Sequence, residues 1–162
     1  MDTQPGNAPE AATDVEPYDY DALRALHEDG ALEAIDAARL ERTEAHTLGS
    51  FLSRLDTAEM RPILRRISLE CAASAVAEMD ADAAAELLQA MRDSRAVRLL
   101  EEMDPDDSAD IFGEMNPEDR ERLLVMVDPE AAVILRRLIT YAPRTAGGIM
   151  NPQVPTALPE MT

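Results

Sequence analysis

The chain has no tryptophan and no lysine, a single cysteine, and only two phenylalanines and three tyrosines among its 162 residues. One cysteine excludes an intrachain disulfide and a cysteine-based zinc site, and it fits a reducing compartment with Cys71 as a small buried apolar residue. With so few aromatics the core must be aliphatic, and the nine methionines suit the irregular gaps of such a core. No run approaches the roughly 18 consecutive apolar residues of a membrane span, and the N-terminus lacks the basic and apolar regions of a signal peptide. The expected setting is therefore cytoplasmic. Glycine-rich phosphate loops, a nucleophile elbow and a His-Glu metal motif are all missing, and His27 and His46 stand far apart in the chain, so no enzymatic activity is expected. Positive charge is also scarce. Fifteen bases against 33 acids leave a formal net charge of −18, which argues against nucleic acid or an anionic membrane and makes cations the natural partners. Every base is arginine. Both a GC-rich genome and adaptation to a salt-rich cytoplasm, where screening relieves self-repulsion, account for that bias.

What the chain has instead is a repeat. At a spacing of twelve residues, Leu55, Ile67, Met79, Met91, Met103, Met115 and Val127 are each followed by a helix-starting signal. The last three read Met103-Asp104-Pro105, Met115-Asn116-Pro117 and Val127-Asp128-Pro129, an N-cap residue with proline at the first helical position. The eighth and ninth residues after each station are mostly apolar, as in Ile63-Leu64, Leu87-Leu88, Leu99-Leu100, Ile111-Phe112 and Leu123-Leu124. Station and pair share one stripe of a 3.6-residue period, which a strand's alternation would not produce. Each unit thus predicts eight or nine residues of helix, about 13 Å long at 1.5 Å per residue. Helices so short are marginal alone. They must stack, and turns this tight predict antiparallel neighbours in an all-α superhelix whose true period is two units.

Residues 1–18 read as an acidic, proline-containing disordered tail. Helices are expected over Asp19–Glu28, stopped by Gly30, and over Ala31–Arg42; Thr43 then falls in the series as an N-cap. The last helix is expected to run on to about Tyr141, where Pro143 bars extension. The helical domain so delimited spans 19–142. Residues 143–162 read as a Gly147-Gly148 linker followed by a short extended segment, Val154 to Leu158, with no partner strand.

The densest acidic group enters the helix after Met103: Asp104, Asp106, Asp107 and Asp110. Asp104 is the expected cap, and acids in a first helical turn are favoured by the helix dipole. The position of Asp106 is acidic in most units, whereas that of Asp110 is Ser74, Glu86, Arg98 or Arg122 elsewhere, so the repeat does not require an acid there. Asp110 nonetheless lies one turn from Asp106, a like-charge pair that costs about 0.2–0.5 kcal/mol in an isolated helix. Two offsets are open: an ion pair with Arg98 or Arg122 on a neighbouring helix, or a divalent cation such as Mg²⁺, which takes carboxylate oxygens and is often held by only one or two of them.

The punctuated short helices together with Tyr141-Ala142-Pro143-Arg144-Thr145-Ala146-Gly147-Gly148-Ile149-Met150 resemble the cytosolic N-terminal domain of MgtE magnesium transporters and its junction with the first CBS domain. The Thr-Ala-Gly-Gly-Ile-Met segment is the specific part. The repeat alone is also similar to the helical superhelix of the flagellar motor switch protein FliG, which leaves a structural or adaptor module that binds a protein and no metal as the alternative. The MgtE resemblance implies a Mg²⁺ sensor: acids facing the CBS domains bind the ion, draw the cytosolic domains together beneath a dimeric pore and favour its closed state. Asp106-Asp107-Ser108-Ala109-Asp110 is similar to the family's Asp-Asp-Leu-Ala-Asp helix, and on that alignment Asp106 and Asp110 carry over as Mg²⁺ ligands with Asp107 beside them. The pore and nearly all of the CBS region are not encoded in these residues, so the chain is expected to be a fragment of a transporter or a subunit acting in trans.

Overall fold

The structure, a computed structural model, describes residues 15–140; the proline-rich start, the Gly147-Gly148 linker and the Val154–Leu158 segment lie outside the described residues. Among the described residues every regular element is helical. They are α1 (Tyr20–Glu28), a 3₁₀ turn (Leu32–Ala34), α2 (Ala37–Leu40), α3 (Ala45–Leu52), α4 (Thr57–Leu64), α5 (Leu69–Ala77), α6 (Ala81–Gln89), α7 (Asp93–Glu102), α8 (Pro105–Glu114), α9 (Pro117–Leu124) and α10 (Pro129–Ile139). From α3 onward the N-cap positions fall at residues 44, 56, 68, 80, 92, 104, 116 and 128, so the twelve-residue spacing of the sequence is the spacing of the helix starts.

The apolar pattern does what its period requires. Stations from Leu55 to Val127 are all buried, and so are the apolar pairs from Ile63-Leu64 to Leu123-Leu124, none of them more than 3% exposed. Fully burying one such aliphatic side chain contributes about 1.5–3 kcal/mol, enough for stacked units to hold helices that would not persist singly. Each helix packs chiefly on the second helix along the chain, α1 on α3, α3 on α5, α5 on α7, and likewise α4 on α6, α6 on α8 and α8 on α10. The result is two rows with a 24-residue period, as the short turns predict. At Gly49 the backbones of α3 and α5 come close, since a Cβ there would lie 2.7 Å from the Ala75 carbonyl oxygen of α5 and 2.7 Å from the Glu78 Cβ.

The N-terminal units depart from expectation. Thr43 is not a cap; Glu44 holds that position, and Thr43 is a buried station whose hydroxyl accepts from the Tyr18 N–H (3.1 Å) and donates to the Arg39 carbonyl (2.8 Å). A hydroxyl can occupy an apolar station when both of its partners are supplied. The helix expected over Ala31–Arg42 is broken into the 3₁₀ turn and α2. Ile35 is extended (φ −61°, ψ 124°), which turns its side chain fully into the core, and Asp36 starts a new helix by accepting from the Arg39 N–H (2.9 Å). The Tyr18 hydroxyl receives the Asp36 N–H (3.0 Å) and holds the break, with Arg39 over its ring at 3.8 Å. Gly30 does stop α1, at φ 67°, as a residue without a Cβ can. The last helix is the longest, eleven residues to Ile139 with Thr140 as its C-cap.

Cys71 is half-buried rather than fully enclosed. Its thiol reaches the Leu40 carbonyl (3.8 Å), and burial with the nearby Glu41 carboxylate pushes it up to about 11. A thiol held that firmly protonated is a poor nucleophile.

Candidate metal centre

Consecutive turns alternate between the two edges of the superhelix, and each turn stacks on the turn two units later. The stacking is stapled by hydrogen bonds between residues 27 apart. At one edge the Ser68 N–H donates to the Glu41 carboxylate, and the Asn116 side-chain amide to Gln89 Oε1 (3.0 Å). At the other edge the Asp80 N–H donates to Ser53 Oγ (3.1 Å), and the Asp128 N–H to Glu101 Oε1 (2.9 Å). The middle staple of each edge is absent, because the residues at those positions are Arg65 opposite Arg92 and Ala77 opposite Asp104. Guanidinium and methyl groups have no oxygen to offer an N–H.

The unstapled Ala77/Asp104 level is where acids gather. The Asp104, Asp106 and Asp107 carboxylates each place an oxygen so that all three lie within 4.8 Å of one another, Asp104 exposed and the other two half-buried. Asp104 takes the N-cap position of α8, yet its side chain accepts no hydrogen bond from the first turn, unlike the caps Asp56, Asn116 and Asp128. The acids are therefore not consumed by capping. Asp106 Oδ1 is buried with no hydrogen-bond partner at all. Such an atom forfeits its hydration without return, at about 1–3 kcal/mol or more when charged.

Asp107 carries the clearest electrostatic signature. Burial, then Asp106, Asp104, Glu78 and Asp110 in that order, raise its carboxyl from 3.8 to about 6. The contribution of Glu78 shows that Asp107 faces the C-terminal end of α5, where Glu78 is the C-cap and the helix dipole is negative. Equivalent positions in other units resolve the same approach with a donor: Cys71 donates to Leu40 O and Arg95 to Leu64 O (2.7 Å), both 31 residues back. An ionised aspartate cannot donate.

Of the residues expected from the sequence, Asp106 and Asp107 come together with Asp104. Asp110 is exposed and lies outside that trio, but burial and then the charge of Asp106 one turn away raise its carboxyl too. Asp106 is the member common to both groupings. The ion-pair offset does not form: Arg122 is engaged by Asp93 (3.2 Å) and by Asp119. Among the described residues no ion pair involves Arg98 or any of the four aspartates. Glu78 was not anticipated, since it lies two units away in the chain and joins the acids only through turn stacking; it also meets His46 at 3.4 Å.

This donor set fits a hard divalent cation. All of the ligand atoms are carboxylate oxygens, one of them buried without a partner, and no fixed cation neutralises them. Around an octahedral Mg²⁺ with bonds of about 2.1 Å, adjacent oxygens are about 3 Å apart and only opposite ones about 4.2 Å, so a trio within 4.8 Å needs to close by up to about 2 Å or to bind partly through waters.

Comparison with known proteins adds an independent line. The sequence profile described as the MgtE intracellular N domain matches residues 43–144. A crystal structure of the cytosolic domain of the Mg²⁺ channel MgtE in complex with ATP aligns with a TM-score of 0.66 at 24% identity, covering 82% of this chain and 54% of that one. The chain thus spans about half the length of that structure, and the likeness is one of fold. No curated protein matches the sequence.

Proposed function

Because the chain belongs to the MgtE intracellular N-domain family, we propose that it is the cytosolic Mg²⁺-sensing regulatory domain of a magnesium transporter, binding the ion through Asp106, Asp107 and Asp110 with Asp104 alongside. The observation that carries this reading is the unneutralised acidic level at the start of α8. Three carboxylates share one site, one oxygen has no partner, and Glu78 approaches from the turn beneath.

The mechanism is linkage. Without the ion, mutual repulsion raises the cost of bringing further acids to this edge; with it, the same edge becomes a bridge to carboxylates on a second domain. An ion that binds the closed assembly better than the open one shifts the population by that difference in affinity and by no more. The expected partners are CBS domains and a transmembrane pore within a homodimeric transporter. Among the described residues no helix is long and apolar enough to cross a membrane. Val125, Met126 and Val133, exposed at the α9–α10 end, supply apolar contact area suited to such a neighbour.

An NMR titration of the chain with Mg²⁺ tests the reading. Amide shifts centred on residues 104–110 and Glu78, abolished in Asp106→Asn/Asp110→Asn and in Asp107→Asn, are the expected result. Small uniform shifts matched by sodium at equal ionic strength refute it.

A further inference from the structure

The other unstapled level carries the opposite charge. On the edge away from the acidic turn, an open cavity of about 370 Å³ is lined by Arg61, Arg65, Met91, Arg92, Ser94 and Arg95. Four guanidinium groups thus surround one hollow in a chain of net charge −18, and among the described residues none of the four is in an ion pair. Among the described residues the only arginines in ion pairs with acids are Arg24, Arg122 and Arg136, so what sets these four apart is their convergence on one hollow. Arg95 is positioned by donating Nη2 to Leu64 O (2.7 Å), while its Nε is buried with no partner.

The repeat sharpens the point. From Asp56 to Asp128 every other unit places Asp, Ser or Asn at the N-cap, the residues that satisfy first-turn N–H groups; only here is the cap an arginine, and it makes no capping bond. A cation at a helix N-terminus also opposes the dipole. Arg65, which faces it across the stack, supplies a second positive charge where other levels supply an oxygen. These local costs are offset together by an anion seated between the turns, which would meet four bidentate-capable donors, the Ser94 hydroxyl and the uncapped start of α7.

We propose that this cavity is a binding site for a di- or triphosphate group. Its volume lies at the lower end for small-ligand sites, and four converging positive charges call for a compact, multiply charged anion. No aromatic side chain lines it, so a nucleobase has no stacking platform and recognition is confined to the phosphate chain. The chain's own acidic start is a poorer match. It offers single carboxylates spaced along the sequence, at Asp2, Glu10 and Asp14, in place of one compact polyanion.

Calorimetric titration of the metal-free 162-residue chain at fixed ionic strength tests the proposal, using pyrophosphate, tripolyphosphate, ATP, AMP and adenosine as probes. Expected are saturable binding of pyrophosphate, similar affinity for tripolyphosphate and ATP, weaker binding of AMP and none of adenosine. Arg61→Gln/Arg65→Gln should weaken pyrophosphate at least about tenfold. Arg92→Gln, at an exposed side chain, gives a second and structurally milder reading in the same direction. Equal affinity in the wild type and both variants overturns the site; ATP binding far more tightly than tripolyphosphate, or adenosine binding at all, overturns its restriction to phosphate. If the full chain binds no pyrophosphate and binding appears only when residues 1–14 are removed, the acidic start is the occupant and the proposal fails. Because these titrations contain no divalent ion and leave Asp104 to Asp110 untouched, they stand or fall apart from the Mg²⁺ reading.

Discussion

Asparagine in place of Asp107 keeps the side chain's shape and removes the charge that its surroundings oppose. Raising the carboxyl from 3.8 to about 6 corresponds to about 3 kcal/mol of unfavourable ionisation at roughly 1.4 kcal/mol per unit. The side chain is partly open to water, which screens the repulsion, so the recoverable part is about 1 kcal/mol. In metal-free buffer near neutral pH, Asp107→Asn should therefore be more stable than the wild type, by about 3–5 °C in melting temperature for a domain of this size. Added Mg²⁺ should reverse the order of gains. At ten times its dissociation constant the ion stabilises the wild type by about 1.4 kcal/mol, and the variant by much less. Paired thermal melts in EDTA and in Mg²⁺, with sodium added to match ionic strength, read both effects. If Asp107→Asn melts below the wild type in EDTA, or gains as much from Mg²⁺ as the wild type does, the electrostatic account of this turn is wrong.

The same group sets a pH dependence. Between about pH 4 and 6 the native state holds the Asp107 proton that the unfolded chain releases, so stability falls as pH rises through that window, and urea midpoints in EDTA should show a slope that Asp107→Asn flattens. Gly49→Ala should lower the melting temperature although alanine is the better helix former by about 1 kcal/mol, because its Cβ would meet the Ala75 carbonyl at 2.7 Å and overpacking costs about 1–3 kcal/mol; a rise would show that α3 and α5 separate at little cost. Thr43→Val strands the Tyr18 N–H, while the Arg39 carbonyl keeps the Arg42 N–H (3.2 Å), and should cost about 1–3 kcal/mol in chemical denaturation, whereas Thr43→Ser should stay near the wild type. Molar potassium chloride should raise the melting temperature if the acid excess serves a salt-rich cytoplasm, and an unchanged value would discard that explanation.

Much of this protein could be read along the chain because a repeat states its instructions many times. Station, cap and apolar pair recur every twelve residues, and a helix start or a buried pair depends on neighbours within one turn, so local rules suffice. Where the repeat is weakest those rules failed. Ile35 gave up a helical conformation to reach the core, and Thr43 became a station because Tyr18, 25 residues away, completes its hydrogen bonding. Neither choice is visible from the residues on either side.

The aspartates themselves were legible, since Asp110 departs from what the repeat places at its position and Asp106 and Asp107 adjoin it. Their surroundings were not. Sequence alone left open an ion pair with Arg122, and only the structure gives that arginine to Asp93 and Asp119. It is likewise the stacking of turns two units apart that carries Glu78 to Asp107 and sets Arg65 opposite Arg92. By itself the sequence determined the helices, their period and the charges available, because those follow from side-chain chemistry within about one turn. Tertiary structure decided which charges meet, because two turns can share an edge only after the helices between them have packed.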